Sequence, residues 1–119
     1  MIRILSIAGN HLNTPTNVHI AHQNRAAGKL PQVRQVAYIV GRRGFRRLEL
    51  QVSSAVLVPR PETELLVEWT IEVAPQGGAV LDWGTGSGAI ALALADERPD
   101  LAITAVDRSA EALAVARSN

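Results

Sequence analysis

Cysteine does not occur among the 119 residues, and its absence removes disulfides, thiolate nucleophiles and cysteine-zinc sites. Redox compartment is left open by the same absence. No stretch approaches the roughly 18 to 20 uninterrupted apolar residues that a bilayer-crossing helix needs, so a membrane span is excluded. The apolar run at Met1–Gly9 is too short for a secretory signal and is broken by Ser6, which makes the cytoplasm the expected compartment. Acidic residues are nearly missing from the first half. Residues 1–60 hold nine Lys or Arg against one acid, Glu49, for a charge of +8; residues 61–119 hold three against ten, for −7. Two segments with different surfaces are implied. Lysine is almost absent too, Lys29 standing among eleven arginines.

What is present suits a soluble globular chain. Hydrophobic residues make up 47% and charged residues 19%, which argues against disorder over most of the length, and 119 residues lie within the range of one domain. Residues 1–35 read as loop or weakly ordered chain, with Asn, His, Gln, Thr and Pro filling the stretch from Asn10 to Asn24. Residues 36–60 read as a β-hairpin and linker. Val36–Val40 is a short apolar run closed by Gly41, and Leu48–Val52 alternates with period two, so two strands are expected around an Arg-rich turn from Gly41 to Arg47.

Residues 61–119 carry the clearest pattern. Leu65, Leu66, Trp69 and Val73 form an apolar stripe on a helix from about Pro61 to Ala74, with Glu62 and Glu64 near its positive end. A buried-type strand follows at Ala79–Trp83, then a glycine turn, a small-residue helix from about Gly88 to Glu97, a strand over Leu101–Val106 ended by Asp107, and a last helix from Ala110 capped by Ser109. Strand, helix, strand, helix points to parallel βαβ units. Two strands of that series are few for a doubly wound sheet, so the expectation is an incomplete fold in a truncated chain.

The informative run is Val80-Leu81-Asp82-Trp83-Gly84-Thr85-Gly86-Ser87-Gly88. Its glycines let the backbone turn tightly and approach a ligand that a Cβ would obstruct. A turn with a capping acid and no ligand is the plain reading of a lone glycine motif. Dinucleotides and S-adenosylmethionine both compete for such a turn, since Gly84, Gly86 and Ala89 satisfy the looser dinucleotide fingerprint. Asp82 favours the second ligand: a carboxylate there repels a pyrophosphate and suits the ammonium of a methionine moiety. Asp107, nineteen residues after Gly88, stands where an acid accepts hydrogen bonds from ribose hydroxyls, which both ligands contain.

From Val36 to Asn119 the chain resembles the release factor glutamine methyltransferases, protein-(glutamine-N5) methyltransferases. The resemblance is carried by Val56-Leu57-Val58-Pro59-Arg60-Pro61-Glu62-Thr63-Glu64-Leu65-Leu66-Val67-Glu68, linked at the usual interval to the run from Val80 through Gly88 to Ala95. It implies an incomplete class I S-adenosylmethionine-dependent methyltransferase fold, α/β and Rossmann-like, preceded by a short β-hairpin and a poorly structured N-terminus. It also implies methyl transfer from S-adenosylmethionine to the side-chain amide nitrogen of a glutamine in peptide chain release factors. By the same resemblance Asp82, Gly84, Thr85, Gly86 and Gly88 hold the cofactor's methionine end and Asp107 its ribose. Phe45 and the segment Pro59, Arg60, Pro61 and Glu62 wall the substrate side. The family's Asn-Pro-Pro-Tyr run, which polarises the amide, does not occur in these residues, so no catalytic residue is assigned and weak or no turnover is expected. A cofactor- or partner-binding fragment without catalysis and a NAD-dependent Rossmann oxidoreductase are the alternatives.

Other groups receive plainer readings. Arg42, Arg43, Arg46 and Arg47 are expected to form a solvated turn and not a nucleic-acid contact, because Phe45 alone among them could stack on a base. His11, His19 and His22 have no carboxylate nearby, and no metal site is expected. Glu64, Glu68 and Glu72 are expected to face solvent. Trp69 is expected in the core, and Trp83 against the cofactor or a neighbouring helix.

Overall fold

The computed structural model describes residues 1–6 and 32–119. The loop reading of residues 10–24 and the histidine reading lie outside the described residues.

Gly41 determines how the first described helix ends. Helix α1 (Gln32–Val40) stops where Gly41 adopts φ 75 and donates its N–H to the Ala37 carbonyl at 2.8 Å, a left-handed C-terminal stop that glycine makes without strain. The strand expected over Val36–Val40 is therefore a helical turn. A five-residue apolar run does not distinguish the two by period, and here Ala37 alone of the run is buried. Ending the helix at Gly41 shifts the hairpin into the arginines: β1 (Ile2–Ser6) aside, the next strands are β2 (Arg42–Phe45) and β3 (Leu48–Gln51), antiparallel, with Phe45 opposite Leu48.

Helix α2 (Thr63–Val73), strand β4 (Ala79–Trp83), helix α3 (Ala89–Glu97), strand β5 (Ala102–Asp107) and helix α4 (Ala110–Ser118) complete the order. These five later elements fall where periodicity and caps put them. Ser109 accepts the Ala112 N–H at 3.1 Å with its hydroxyl, an N-cap at the expected residue. The main sheet has three parallel strands in the order β1–β5–β4, with Ile4 and Asp82 both opposite Ala105. Ile2–Ser6 is thus not loop. Its apolar residues pair along β5, giving the parallel series a third strand that the sequence reading did not count.

One face of this sheet carries Ile103 and Ala105, buried with the small-residue helix α3 (Ala91, Ala93, Leu94) and with Phe45, Leu50 and Val67. Alanines at the contact let α3 approach closely. Leu81 and Trp83, on the alternate face of β4, are exposed, Trp83 by 70%. The stripe on α2 is also turned outward: Leu65, Leu66, Val73 and Trp69 are exposed, Trp69 by 67%, while Val67 is fully buried and Ile71 and Ala74 pack on the core. Trp69 is accordingly a surface residue. The smaller apolar row at 67, 71 and 74 is the one that faces inward.

Arginine fixes that rotation. Arg46, at the hairpin tip with φ 50, donates its backbone N–H to Glu64 Oε1 at 2.8 Å and a guanidinium N–H to Glu68 Oε1 at 3.1 Å. The same guanidinium grips Glu97 of α3 through two N–H groups, with Nη2 to Oε2 at 2.9 Å. Arg47 reaches Asp96 at 2.9 Å. The basic half of the chain docks on acids of the second half: Arg46 and Glu64 depart from the expected solvated turn and solvent-facing row, while Arg42, Arg47, Glu68 and Glu72 are exposed as expected. At the far end of α2, Arg98 donates to the Ile71 carbonyl at 2.8 Å and is bound by Asp100, supplying partners for the helix's last carbonyls.

These pairs make stability depend on acid. The Arg46 guanidinium holds the Glu97 carboxyl below its ordinary range against the opposing effect of burial, with side-chain exposures of only 16% and 17%. Arg98, helped by the Gly77 N–H, holds Asp100 well below the carboxylate range. A lowered native pKa contributes stability that is complete above the unfolded-chain value and is lost as pH falls through the native one. Thermal midpoints are therefore expected to drop as pH falls below about 4. Glu97→Gln should make that drop shallower; melts of equal steepness in both proteins would count against the Arg46–Glu97 pair.

Candidate functional site

The glycine turn after β4 is built by its own backbone and by the end of β5. Gly84, Gly86 and Gly88 take φ 78, 56 and 85, a region that side chains with a Cβ rarely adopt. The N–H groups of Gly84 and Thr85 both donate to the Val106 carbonyl, at 2.8 and 2.9 Å, and the Gly88 N–H donates to the Thr85 carbonyl. The Gly86 N–H donates to Asp107 Oδ2 at 2.9 Å. Four of the turn's N–H groups are thus engaged inside the protein and hold its shape.

Asp82 sits at the foot of the turn, 9% exposed, with Oδ2 accepting the Thr85 hydroxyl at 2.7 Å. Its Oδ1 accepts no hydrogen bond from the described residues. A buried carboxylate with one oxygen free, lining a cavity, is a place for a cation. Asp107 is half-buried and ties the turn to the next helix, since Oδ1 accepts the Ser109 N–H at 2.9 Å while Oδ2 holds Gly86. Each of its oxygens keeps a second lone pair for an outside donor.

A cavity of about 170 Å³ lies over the turn, lined by Asp82, Gly84, Thr85 and Gly86 and, from the other side, by Leu57, Val58, Pro59 and Arg60. Ideal Cβ atoms at Gly84 and Gly86 would meet nothing within 4 Å, so there is free space above them. The structure thus brings Asp82, Gly84, Thr85, Gly86, Pro59 and Arg60 to one cavity. Gly88 is behind it, packed on α4. Pro61 and Glu62 are exposed and outside the lining. Phe45 is 1% exposed in the core beside Leu50 and Val67, so its ring does not wall this cavity. Trp83 is likewise outside the lining. Among the described residues no group of three His, Asp or Glu is arranged to hold a metal ion.

The sequence reading missed Leu57, Val58, Thr63, Ser87, Ala89 and Ile90 in the lining. Ser87, Ala89 and Ile90 could have been found by carrying the glycine run one helical turn further. Leu57 and Val58 gave no local signal, because an extended loop crosses the turn only through tertiary packing. Val58 and Pro59 are anchored there: Val58 is buried with Val52, Val56, Ala37 and Ala112, and the Tyr38 hydroxyl donates to the Val56 carbonyl at 3.0 Å.

A parallel sheet with a glycine-rich first βα turn, and an acid ending the adjacent strand, defines a Rossmann-like cofactor-binding α/β domain. The model of one protein family matches residues 60–119, and the chain belongs to that family, the methyltransferase small domain. Among curated proteins it is similar to the release factor glutamine methyltransferase of Xylella fastidiosa (strain 9a5c), 54% identical over 86 residues that make up 71% of this chain and 31% of that protein. The protein of the same name from Streptococcus pneumoniae is 52% identical over 99 residues, 82% of this chain and 34% of its own length. That of Escherichia coli (strain K12) is 53% identical over 85 residues, 71% and 31% respectively. The chain spans about a third of the length of the curated relatives it matches.

Proposed function

We propose that this chain carries the cofactor side of a release factor glutamine methyltransferase, which transfers a methyl group from S-adenosylmethionine to the side-chain amide nitrogen of a glutamine in a peptide chain release factor. The observation that supports the reading best is Asp82, a largely buried carboxylate with one oxygen free, at the foot of the glycine turn and lining the cavity above it. A negative charge facing the cavity suits an ammonium-bearing ligand and repels a pyrophosphate. When bound, S-adenosylmethionine supplies an electrophilic methyl group on a sulfonium.

The protein's own residues divide the remaining work. Asp82 accepts the ammonium of the methionine moiety, and the side-chain-free backbone at Gly84 and Gly86 lets the ligand lie close. Thr85 keeps Asp82 in one rotamer through its hydroxyl. Asp107, at the edge of the turn and outside the cavity's lining, accepts ribose hydroxyls with its second lone pairs while its first hold Gly86 and Ser109. Gly88 lets α3 start tight against α4. On the facing wall Pro59 and Arg60 border the path to the substrate, with Pro61 and Glu62 further out. Displacement at a methyl carbon requires nitrogen, carbon and sulfur in line, so rigid placement of the cofactor is what this half contributes. Holding and polarising the amide N–H groups needs acceptors of the Asn-Pro-Pro-Tyr kind, which these 119 residues do not contain. The same reading makes release factors the partners and the cytoplasm the compartment; no helix among the described residues is long and apolar enough to cross a membrane.

Calorimetric titration of the chain with S-adenosylmethionine, with NAD in parallel, tests the cofactor assignment. Saturable binding of the sulfonium ligand alone is the expected result. Tighter binding of NAD would overturn it.

A further inference from the structure

The end of α4 reaches back to the glycine turn through one side chain. The Asn119 amide nitrogen donates to the Ser87 carbonyl at 2.9 Å and to the Gln51 carbonyl at 3.1 Å, and its Oδ1 accepts the Gln51 N–H at 2.6 Å. Every hydrogen-bonding capacity of the amide nitrogen is used. Toward β3 the side chain pairs as a neighbouring strand would, with one bond given and one accepted. Toward the turn it holds the carbonyl of a residue that is 2% exposed.

The peptide between Ser87 and Gly88 is where such a hold matters. Gly88 has φ 85 and no Cβ, so rotation of that peptide meets little steric resistance from the glycine itself. A rotated peptide would aim the Ser87 carbonyl away from Asn119 and withdraw the Gly88 N–H from the Thr85 carbonyl, to which it donates at 2.9 Å. Thr85 in turn fixes Asp82. We propose that Asn119 is a positioning residue, which locks the Ser87–Gly88 peptide and ties it to the hairpin so that the turn keeps its ligand-accepting shape.

For affinity the proposal rests on the S-adenosylmethionine reading; for the shape of the turn it does not. Asn119→Ala removes all three bonds, and Asn119→Asp keeps the acceptor for Gln51 while losing both donors. Ser118→Ala is the control, because Ser118 bonds only the Val115 carbonyl of its own helix. Both Asn119 variants should bind S-adenosylmethionine about tenfold more weakly and exchange the Gly88 amide hydrogen faster relative to core amides, with Ser118→Ala changing neither. Loss of global stability with unchanged Gly88 exchange relative to the core would overturn the proposal, since that is what a purely structural contact does. If the unmodified chain fails to bind the ligand, the cofactor reading falls and the exchange result still decides. Should both variants fail to fold, slow exchange of the Asn119 side-chain amide in the unmodified chain supports the lock, and fast exchange refutes it.

Discussion

Gly88→Val is expected to destabilise the domain by about 3 kcal/mol, combining the left-handed backbone strain on a residue with a Cβ, about 1–2 kcal/mol, with overpacking of similar size. The geometry makes both contributions unavoidable. Gly88 stands at φ 85, and a Cβ built on it lies 3.1 Å from Leu92 Cδ1 and 3.3 Å from the Ala116 Cβ. Leu92 can swing aside, but Ala116 is buried on α4 and has no rotamer to change. Valine adds two methyls to that contact and separates α3 from α4. Against a typical domain stability of about 5–15 kcal/mol this is a large fraction. Gly86→Ala isolates the backbone component, because nothing lies within 4 Å of its Cβ position, and about 1–2 kcal/mol is expected there. Urea unfolding of the three proteins measures the difference. Equal losses at the two positions would show that helix packing at Gly88 contributes nothing.

How far the sequence disclosed this structure depends on how local each cause is. The turn, α3, β5 and α4 were legible because every signal sits within a few residues: alternating glycines after an apolar run, alanines at helical spacing, Ser109 before the last helix. The positions of the two acids were legible for the same reason, Asp82 one residue before the end of β4 and lining the cavity, Asp107 at the end of β5 and outside the lining. Where the cause is distant, the reading failed. Helix α2 offers two apolar rows, and bulk favoured the one with Trp69; the choice was made instead by Arg46, eighteen or more residues away, binding Glu64 and Glu68. Val36–Val40 was ambiguous by period, and only Gly41 in its left-handed conformation distinguishes a helix end from a strand end. The arginine run resembled a solvated turn because the acids that bind it, Asp96 and Glu97, lie about fifty residues further along the chain. The burial of Phe45 follows from the same docking, which turns the β2–β3 face inward and takes the ring away from the cavity.

Asp82→Asn is expected to weaken S-adenosylmethionine binding about 30- to 100-fold, the equivalent of roughly 2–3 kcal/mol for a charge-assisted hydrogen bond at a largely buried site. The substitution is nearly isosteric, and its consequences for fold and ligand separate. An asparagine carbonyl oxygen can still accept the Thr85 hydroxyl now held at 2.7 Å, so the turn keeps its internal bond and the unfolding midpoint should move little. What disappears is the negative charge facing the cavity, and an ammonium placed there would meet a neutral amide. Asp107→Asn offers the contrast. Its carboxylate accepts from Gly86 and Ser109 with different oxygens, and an amide has only one accepting atom, so one N–H is left without its partner and stability falls together with affinity. Titration calorimetry and urea unfolding of both variants therefore read two distinct patterns: affinity alone at position 82, affinity and stability together at 107. Undiminished binding by Asp82→Asn would remove the charge argument on which the cofactor assignment stands. The glycine turn would then have to be explained as a structural connection between β4 and α3.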